Sequence, residues 1–285
     1  RTPASYCGIV GVKPSPGLIS KEGVFALCPK HDTVGVLTRN VADAATLLNV
    51  MALGAPDQEC NQNSTQIDFT SEMEWGPSGL RLGVLVIEEL AAANAIVQHC
   101  FSNQMELVRR AGANVETVRL PKTLMEYLVA AGNIMAFESY RELSRYLDGQ
   151  SNQVSEVISQ RILKGKIISE TEHIEDLARR QDAKREFADA TRGIDALLMP
   201  TCVEAAIPVS EVDEGRVVTP YGRFANYLDL PAMSVPMGFS SEGLPLGLQV
   251  VARQNEDAMM FRVAMAIEKL NSDTTGVSEL SGTRV

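Results

Sequence analysis

Apolar and polar positions change their period several times along the chain, and each change predicts an element. Residues 1–37 carry glycines and prolines at short intervals without helical periodicity, which reads as loops and short strands. From Asn40 the spacing becomes helical. Ala44, Leu47, Leu48 and Met51 make one apolar face, Asn40 can cap the helix with Asp43 three residues on, and Gly54-Ala55-Pro56 predicts its stop. Residues 55–79 form a polar connector with a Trp-Gly-Pro turn at Trp75. An apolar run at 82–87 has strand length. A helix is predicted over 94–111, with Ile96, Cys100, Leu107 and Val108 on its apolar side and Gly112 as its stop. Val115, Val118 and Leu120 then predict another strand.

Residues 122–192 are helical and polar, with breaks near Gly149 and Gly165. Asp195 to Met199 is a buried-strand signal closed by Pro200, and a loop of about 20 residues containing Pro208 and Gly215 follows. Residues 232–235 and 248–252 read as core strands. The last helix is predicted over 256–270, with Met260, Val263, Ile267 and Leu270 as its buried stripe. The Ser/Thr/Gly-rich stretch from Asn271 reads as a disordered tail. The order of strands and helices predicts an α/β layer architecture, organised as one unit over 1–270 and a tail over 271–285.

Composition narrows the function. With 285 residues, 45% hydrophobic and 22% charged, the chain has the make-up of a soluble globular protein. Thirty-six acidic against 26 basic residues give a net charge of −10, which repels phosphate backbones and anionic lipid. Nucleic acid and membrane surfaces are therefore set aside as partners. No apolar run approaches the roughly 20 residues that span a bilayer. The chain opens on Arg1-Thr2-Pro3 without an initiator methionine, so residues are expected upstream of it. Five scattered cysteines (Cys7, Cys28, Cys60, Cys100 and Cys202) are odd in number and read as free thiols of a reducing, cytoplasmic compartment. The single sequon, at Asn63, reads as a chance match.

Residue types alone nominate no chemistry. His31, His99 and His173 lie far apart, and Cys28-Pro29-Lys30-His31 has the spacing of half a zinc site with no second half. Nothing pairs Cys7, Cys28 or Cys202 with a base, and no Gly-x-Ser-x-Gly elbow is present. Gly8-Ile9-Val10-Gly11 lacks the third glycine of a dinucleotide loop. Glu88-Glu89, and Asp182 with Glu186, read as solvated carboxylates. On these grounds the sequence stops at a soluble α/β domain without metal or cofactor.

Three stretches add a resemblance. Arg1-Thr2-Pro3-Ala4-Ser5-Tyr6-Cys7-Gly8-Ile9-Val10-Gly11-Val12-Lys13-Pro14-Ser15 resembles the segment that follows the catalytic serine of amidase-signature enzymes. Asp32-Thr33-Val34-Gly35-Val36-Leu37-Thr38-Arg39-Asn40-Val41-Ala42-Asp43-Ala44-Ala45 is similar to that family's Asp-x-x-Gly-Pro-x-x-Arg-x-Val-x-Asp-Ala-Ala stretch, with Val36 in place of the usual proline. Leu198-Met199-Pro200-Thr201, residues 226–236 and Gly243-Leu244-Pro245-Leu246-Gly247-Leu248-Gln249 resemble its pocket wall and final core strand. The matches run in the family's order, with the middle third weakly matched.

The resemblance implies the amidase-signature fold, a central mixed β-sheet flanked by helices, incomplete here at its N-terminus. It implies serine acyl-enzyme hydrolysis of a small-molecule amide by a nucleophilic serine, a bridging serine and a lysine, with no metal or cofactor. It places the nucleophile two residues before Arg1 and the other two further upstream. No catalytic residue therefore falls within the chain, which by itself is expected to be inactive, and Ser5 takes a packing position. Met199, Thr201, Phe224 and Asn226 become candidates for the substrate pocket. Arg1, Cys7, Asp32 and Arg39 become supports of the active-site loop, with Asp32 and Arg39 joined by a charge-assisted bond. Arg223 reads as an exposed loop arginine, the alternative being contact with an acidic substrate. Two other functions stay open: a truncated, non-catalytic paralogue acting as a binding protein, and the glutaminase subunit of a tRNA-dependent amidotransferase. Missing N-terminal strands would bare an apolar edge, so the chain alone is expected to be poorly soluble or to form a homodimer.

Overall fold

The computed structural model describes residues 1–52, 68–147, 154–213 and 220–275. Its centre is a seven-stranded sheet built from β1 (Val10–Lys13), β2 (Leu37–Thr38), β3 (Arg81–Leu85), β4 (Asn114–Val118), β5 (Ala196–Pro200), β6 (Ala232–Phe239) and β7 (Pro245–Ala252), in the order β2-β1-β6-β7-β5-β3-β4. Pairs from β2 across to β5 are antiparallel, while β5, β3 and β4 run parallel. The sheet is therefore mixed, as the resemblance implies. All five residues of β5 and seven of the eight of β7 are buried. Burial on both faces explains why these strands read as continuous apolar runs rather than alternations.

Helices cover the sheet. Between β3 and β4 runs α4 (Ala95–Arg110), started by Asn94, whose side chain accepts from Val97 N–H. The polar middle third folds as α5 (Leu124–Leu143), α6 (Glu156–Leu163) and α7 (Glu170–Ala190). Thr123 with Glu126 and Ser169 with Glu172 form capping boxes that fix where α5 and α7 begin. The break at Gly165 has a steric cause: a Cβ there would run into the Ala136 carbonyl oxygen of α5. The last helix, α9 (Asp257–Thr275), packs on β6 and β7 and against α2 (Val41–Ala52). At the start of α2, Asn40 Oδ1 accepts from Asp43 N–H at 2.7 Å, the cap that the sequence predicts. No described helix is long and apolar enough to cross a membrane.

Several elements differ from expectation, each for a local reason. Residues 1–37 include α1 (Thr2–Cys7), too short to show a period. Pro3 suits its first turn, and Gly8, at φ 66°, ends it. In α2 the buried positions are Val41, Ala44, Ala45 and Leu48, while Leu47 is 45% exposed. In α4 the core face is carried by Val97, Phe101, Met105 and Val108, so Ile96 and Cys100 sit at its margin. β3 stops at Leu85, and exposed Ile87 opens a single turn, α3 (Ile87–Leu90). Helix α9 continues through Asn271, where a disordered tail was expected to start. Asn271 Nδ2 donates to the Pro236 carbonyl at 2.8 Å, and Ser272 Oγ to that of Glu268 at 3.1 Å. Cys60, Asn63, Gly54-Ala55-Pro56, Gly149 and Gly215 lie outside the described residues.

Candidate active-site pocket

The start of α1, the end of β5, the middle of β7 and the short helix α8 (Arg223–Tyr227) meet around a cavity of about 190 Å³. It is lined by Arg1, Thr2 and Pro3 at the start of α1, by Thr201 and Gln249 from the sheet, and by Gly222, Arg223 and Asn226 at α8. Arg1 organises it. Its Nη1 donates to Gln249 Oε1 at 2.8 Å and its Nη2 to Asn226 Oδ1 at 2.6 Å. Each amide in turn donates to a backbone carbonyl: Gln249 Nε2 to Tyr221 at 2.7 Å, and Asn226 Nδ2 to His31 at 3.1 Å. These bonds fix which end of each amide is oxygen, because an arginine can only donate. Every partner of the guanidinium is neutral. Burial pulls its pKa down to about 10, so a partly desolvated cation faces the cavity.

Helix α8 is held by a buried ionic clamp. Arg180 of α7 donates through Nε to the Tyr227 carbonyl at 2.6 Å and through Nη2 to the carbonyls of Lys30 and Asn226, both at 3.3 Å. Arg180 Nη2 also bonds Asp229, whose other carboxylate oxygen accepts from Lys184 Nζ at 2.6 Å. Asp229 sits at φ 60°, a left-handed conformation that a short side chain bonded on both oxygens can hold. The clamp joins α7, α8 and the 28–32 loop. Glu138 of α5 secures that loop by accepting from Lys30 N–H at 2.9 Å and from the Cys28 thiol at 3.3 Å. One further buried cation lies nearby. Lys13 of β1 donates to the Pro14 carbonyl at 2.8 Å, and burial, helped by the Arg1 charge, pulls its ammonium down to about 7 against the pull of Asp257 and Asp229.

Of the residues expected in the pocket, Thr201 and Asn226 line the cavity and Met199 and Phe224 do not. Thr201 N–H donates to the Gly247 carbonyl at 2.8 Å and its hydroxyl bonds Ser234 Oγ at 2.8 Å. Met199 is a fully buried residue of β5. Phe224 points away from the cavity into an aromatic cluster, its ring 6.5 Å from Tyr127 and 6.3 Å from Phe187. Among the expected supports, Arg1 stands in the cavity wall, whereas Cys7 is exposed, not packed beneath it. The expected bond between Asp32 and Arg39 is absent. Asp32 Oδ2 instead accepts from the N–H groups of Leu27 and Cys28, each at 2.9 Å, and Arg39 is exposed. Ser5 is buried beneath Gly247, where an added Cβ would lie 2.5 Å from its hydroxyl. Arg223, expected to be an exposed loop residue, is half-buried in the cavity wall. Among the described residues no group of three or more His, Cys, Asp or Glu side chains is placed to hold a metal ion. Gln249, Arg180 and Asp229 carried no local signal; the Gly-Leu-Gln at the end of the third resembling stretch was the only pointer to Gln249.

The Amidase family model matches residues 1–261. The A subunit of glutamyl-tRNA(Gln) amidotransferase from Thermotoga maritima is 31% identical over 296 residues, covering 94% of this chain and 62% of the relative. Its mitochondrial counterpart from Bos taurus is 31% identical over 299 residues, covering 94% and 57%. The solved Thermotoga maritima protein superposes with a TM-score of 0.75 at 31% identity, covering 94% of this chain and 59% of its own. A solved amidase superposes with a TM-score of 0.81 at 25% identity, covering 94% and 60%. The chain thus spans about 60% of the length of the relatives it matches. Sequence order, sheet topology and these likenesses agree: the chain belongs to the amidase-signature family.

Proposed function

We propose that this chain supplies the substrate-facing wall of an amide hydrolase, as one structural unit over residues 1–270. The cavity at Arg1 carries the reading. It opens at the residue that, by the family's motif, stands two positions after the nucleophilic serine. It combines a desolvated cation with two amide side chains held in fixed orientation. Thr201 and Asn226 line the bound amide, and Met199 and Phe224 back them from the core. Cys7, Asp32 and Arg39 act further out: Asp32 shapes the 27–32 loop, while Cys7 and Arg39 stay at the surface.

In the reaction, serine Oγ attacks the amide carbonyl as its proton passes to the lysine through the bridging serine. The C–N bond then breaks, the amine leaves with that proton, and water releases the acid from the acyl-enzyme. The three catalytic groups belong to residues preceding Arg1, and this chain's part is to bind and orient. The thiols of Cys7, Cys28, Cys100 and Cys202 support a reducing, cytoplasmic setting. In the full-length protein, ammonia release from a panel of small carboxamides should be measured. Turnover that falls at least tenfold in Asn226→Ala is the expected result, and no turnover of any amide would defeat the reading.

A second reading is favoured by the 31% identity to the Thermotoga maritima amidotransferase protein: the chain belongs to a glutaminase subunit. It requires glutamine as ammonia donor and co-purification with partner subunits. Turnover of simple amides by the isolated full-length protein, with no partner retained, favours the first.

A further inference from the structure

The hydrogen bonds that line the cavity continue into the protein. Asn226 holds Arg1 through Oδ1, and the His31 carbonyl holds Asn226 by accepting from its Nδ2 at 3.1 Å. That carbonyl decides which end of the amide faces the cation. With the side chain turned over, an NH2 group would meet a guanidinium that can only donate. The residue before His31 is gripped from two helices. Lys30 N–H donates to Glu138 Oε2 of α5 at 2.9 Å, and the Lys30 carbonyl accepts from Arg180 Nη2 of α7 at 3.3 Å. The loop is thus clamped at Lys30 and presents its next carbonyl to α8.

Glu138 is a costly choice for a loop anchor. It is 8% exposed, and among the described residues no lysine or arginine pairs with it. Oε2 also accepts from the Cys28 thiol at 3.3 Å, while Oε1 faces His173, whose Nε2 lies 3.7 Å away. Burial, then the Glu138 charge, pushes the Cys28 thiol up, so it stays a donor. A carboxylate buried among such partners costs stability that an apolar side chain of similar volume would not. What it supplies instead is an acceptor at one point of one loop.

We infer that Glu138 is a positioning residue for the hydrolysis: through Lys30 and His31 it fixes the Asn226 amide, and through Asn226 the Arg1 guanidinium. The inference rests on the amide-hydrolase reading and adds to it a residue outside the cavity. By the family's motif Arg1 stands two positions after the nucleophilic serine, so a displaced guanidinium disturbs the turn that aims the serine. Misplacement by about 1 Å costs up to about 100-fold in rate. Glu138 does not line the cavity, so its effect falls on kcat rather than KM.

The test uses the full-length protein and the carboxamide that it turns over fastest. Glu138→Met keeps the volume and removes the acceptor, whereas Glu138→Gln keeps an acceptor. In Glu138→Met, kcat should fall about 10- to 100-fold with KM within about threefold of wild type, and Glu138→Gln should recover most of the loss. In an Asn226→Ala background, Glu138→Met should cost less than about twofold more, because the path is already cut; independent sites would multiply. Glu106→Gln, which alters a solvated carboxylate of α4, should change nothing. Equal losses in Glu138→Met and Glu138→Gln, a loss confined to KM, or the full loss repeated on top of Asn226→Ala overturns the inference and leaves amide hydrolysis intact. If no amide turns over, the hydrolase reading fails, and the positioning is read by NMR of 15N-asparagine-labelled protein. The Asn226 side-chain signal should then move in Glu138→Met and return in Glu138→Gln; an unmoved signal defeats the inference. If Glu138→Met does not fold, hydrogen exchange of the wild type decides: protection of Lys30 N–H by about 100-fold or more supports the anchor, and exchange at the rate of an open loop defeats it.

Discussion

Arg1 and Lys13 are two cations that the fold takes out of water without giving either a full ionic partner, and each makes a measurable demand. Arg1 relies on the amide oxygens of Gln249 and Asn226. Replacing Asn226 with alanine removes a bond to a charged donor, worth about 1.5–3 kcal/mol. The urea midpoint of Asn226→Ala should drop accordingly, and an unchanged midpoint would mean that water replaces the amide freely. Lys13 makes a prediction about pH. Its ammonium is lowered from 10.5 to about 7 in the folded chain. Between those values the unfolded chain holds a proton that the folded one has shed, so stability rises with pH across the window, by at most about 1.4 kcal/mol per unit. Below pH 7 the burial penalty is present in full. Urea titrations at pH 7 and 9.5 should show the wild type gaining more than Lys13→Met; equal gains would mean that Lys13 stays charged. Of the residues named through resemblance, Thr201, Asn226 and Arg1 line the cavity, while Met199 and Phe224 lie behind it in the core, because residues that share a motif along the chain can point their side chains to different sides.

At the scale of elements, apolar periods and the Asn40 cap were read from the sequence, the other caps were not, and neither were the helix rotations. Asn40, Asn94, Thr123 and Ser169 cap helices by bonds within four residues, which the chain writes locally. Which stripe of α2 or α4 turns inward depends on what lies opposite, so Leu47 and Ile96 were misjudged. The clamp of Arg180, Lys184 and Asp229 also joins elements remote in sequence. Asp229→Ala would leave two cations facing each other, one fully buried, and breaking a buried pair from one side costs about 3–5 kcal/mol. Thermal unfolding should show that loss, accompanied by weaker ligand binding because α8 carries Arg223 and Asn226. A loss below about 1 kcal/mol would instead place the clamp in the range of solvated surface pairs. Gly165→Ala should be as disruptive locally, since the Ala136 carbonyl occupies the space that its methyl group needs.

Across the whole molecule, the sheet has a central block buried on both faces and a margin where β2 is two residues long with Leu37 57% exposed. Phe25, Val24 and Leu27 are exposed in the loop between β1 and β2. Apolar groups beside an unpaired strand edge favour association. Sedimentation of this chain expressed alone should show dimers or larger species, diminished in Leu37→Lys; a monodisperse wild-type monomer would contradict this. By itself the sequence determined the order of the main strands, the starts of the helices near residues 40, 94 and 256, and the family. Those rest on caps, periods and motifs whose partners lie a few residues apart. Only the tertiary structure decided the pocket. Arg1 meets Gln249 across 248 positions and Asn226 across 225, and Arg180 meets Asp229 across 49. No period or local motif encodes such meetings: the sheet order and the packing of α5 against both α7 and α8 bring these side chains together, and burial then gives their charges consequence.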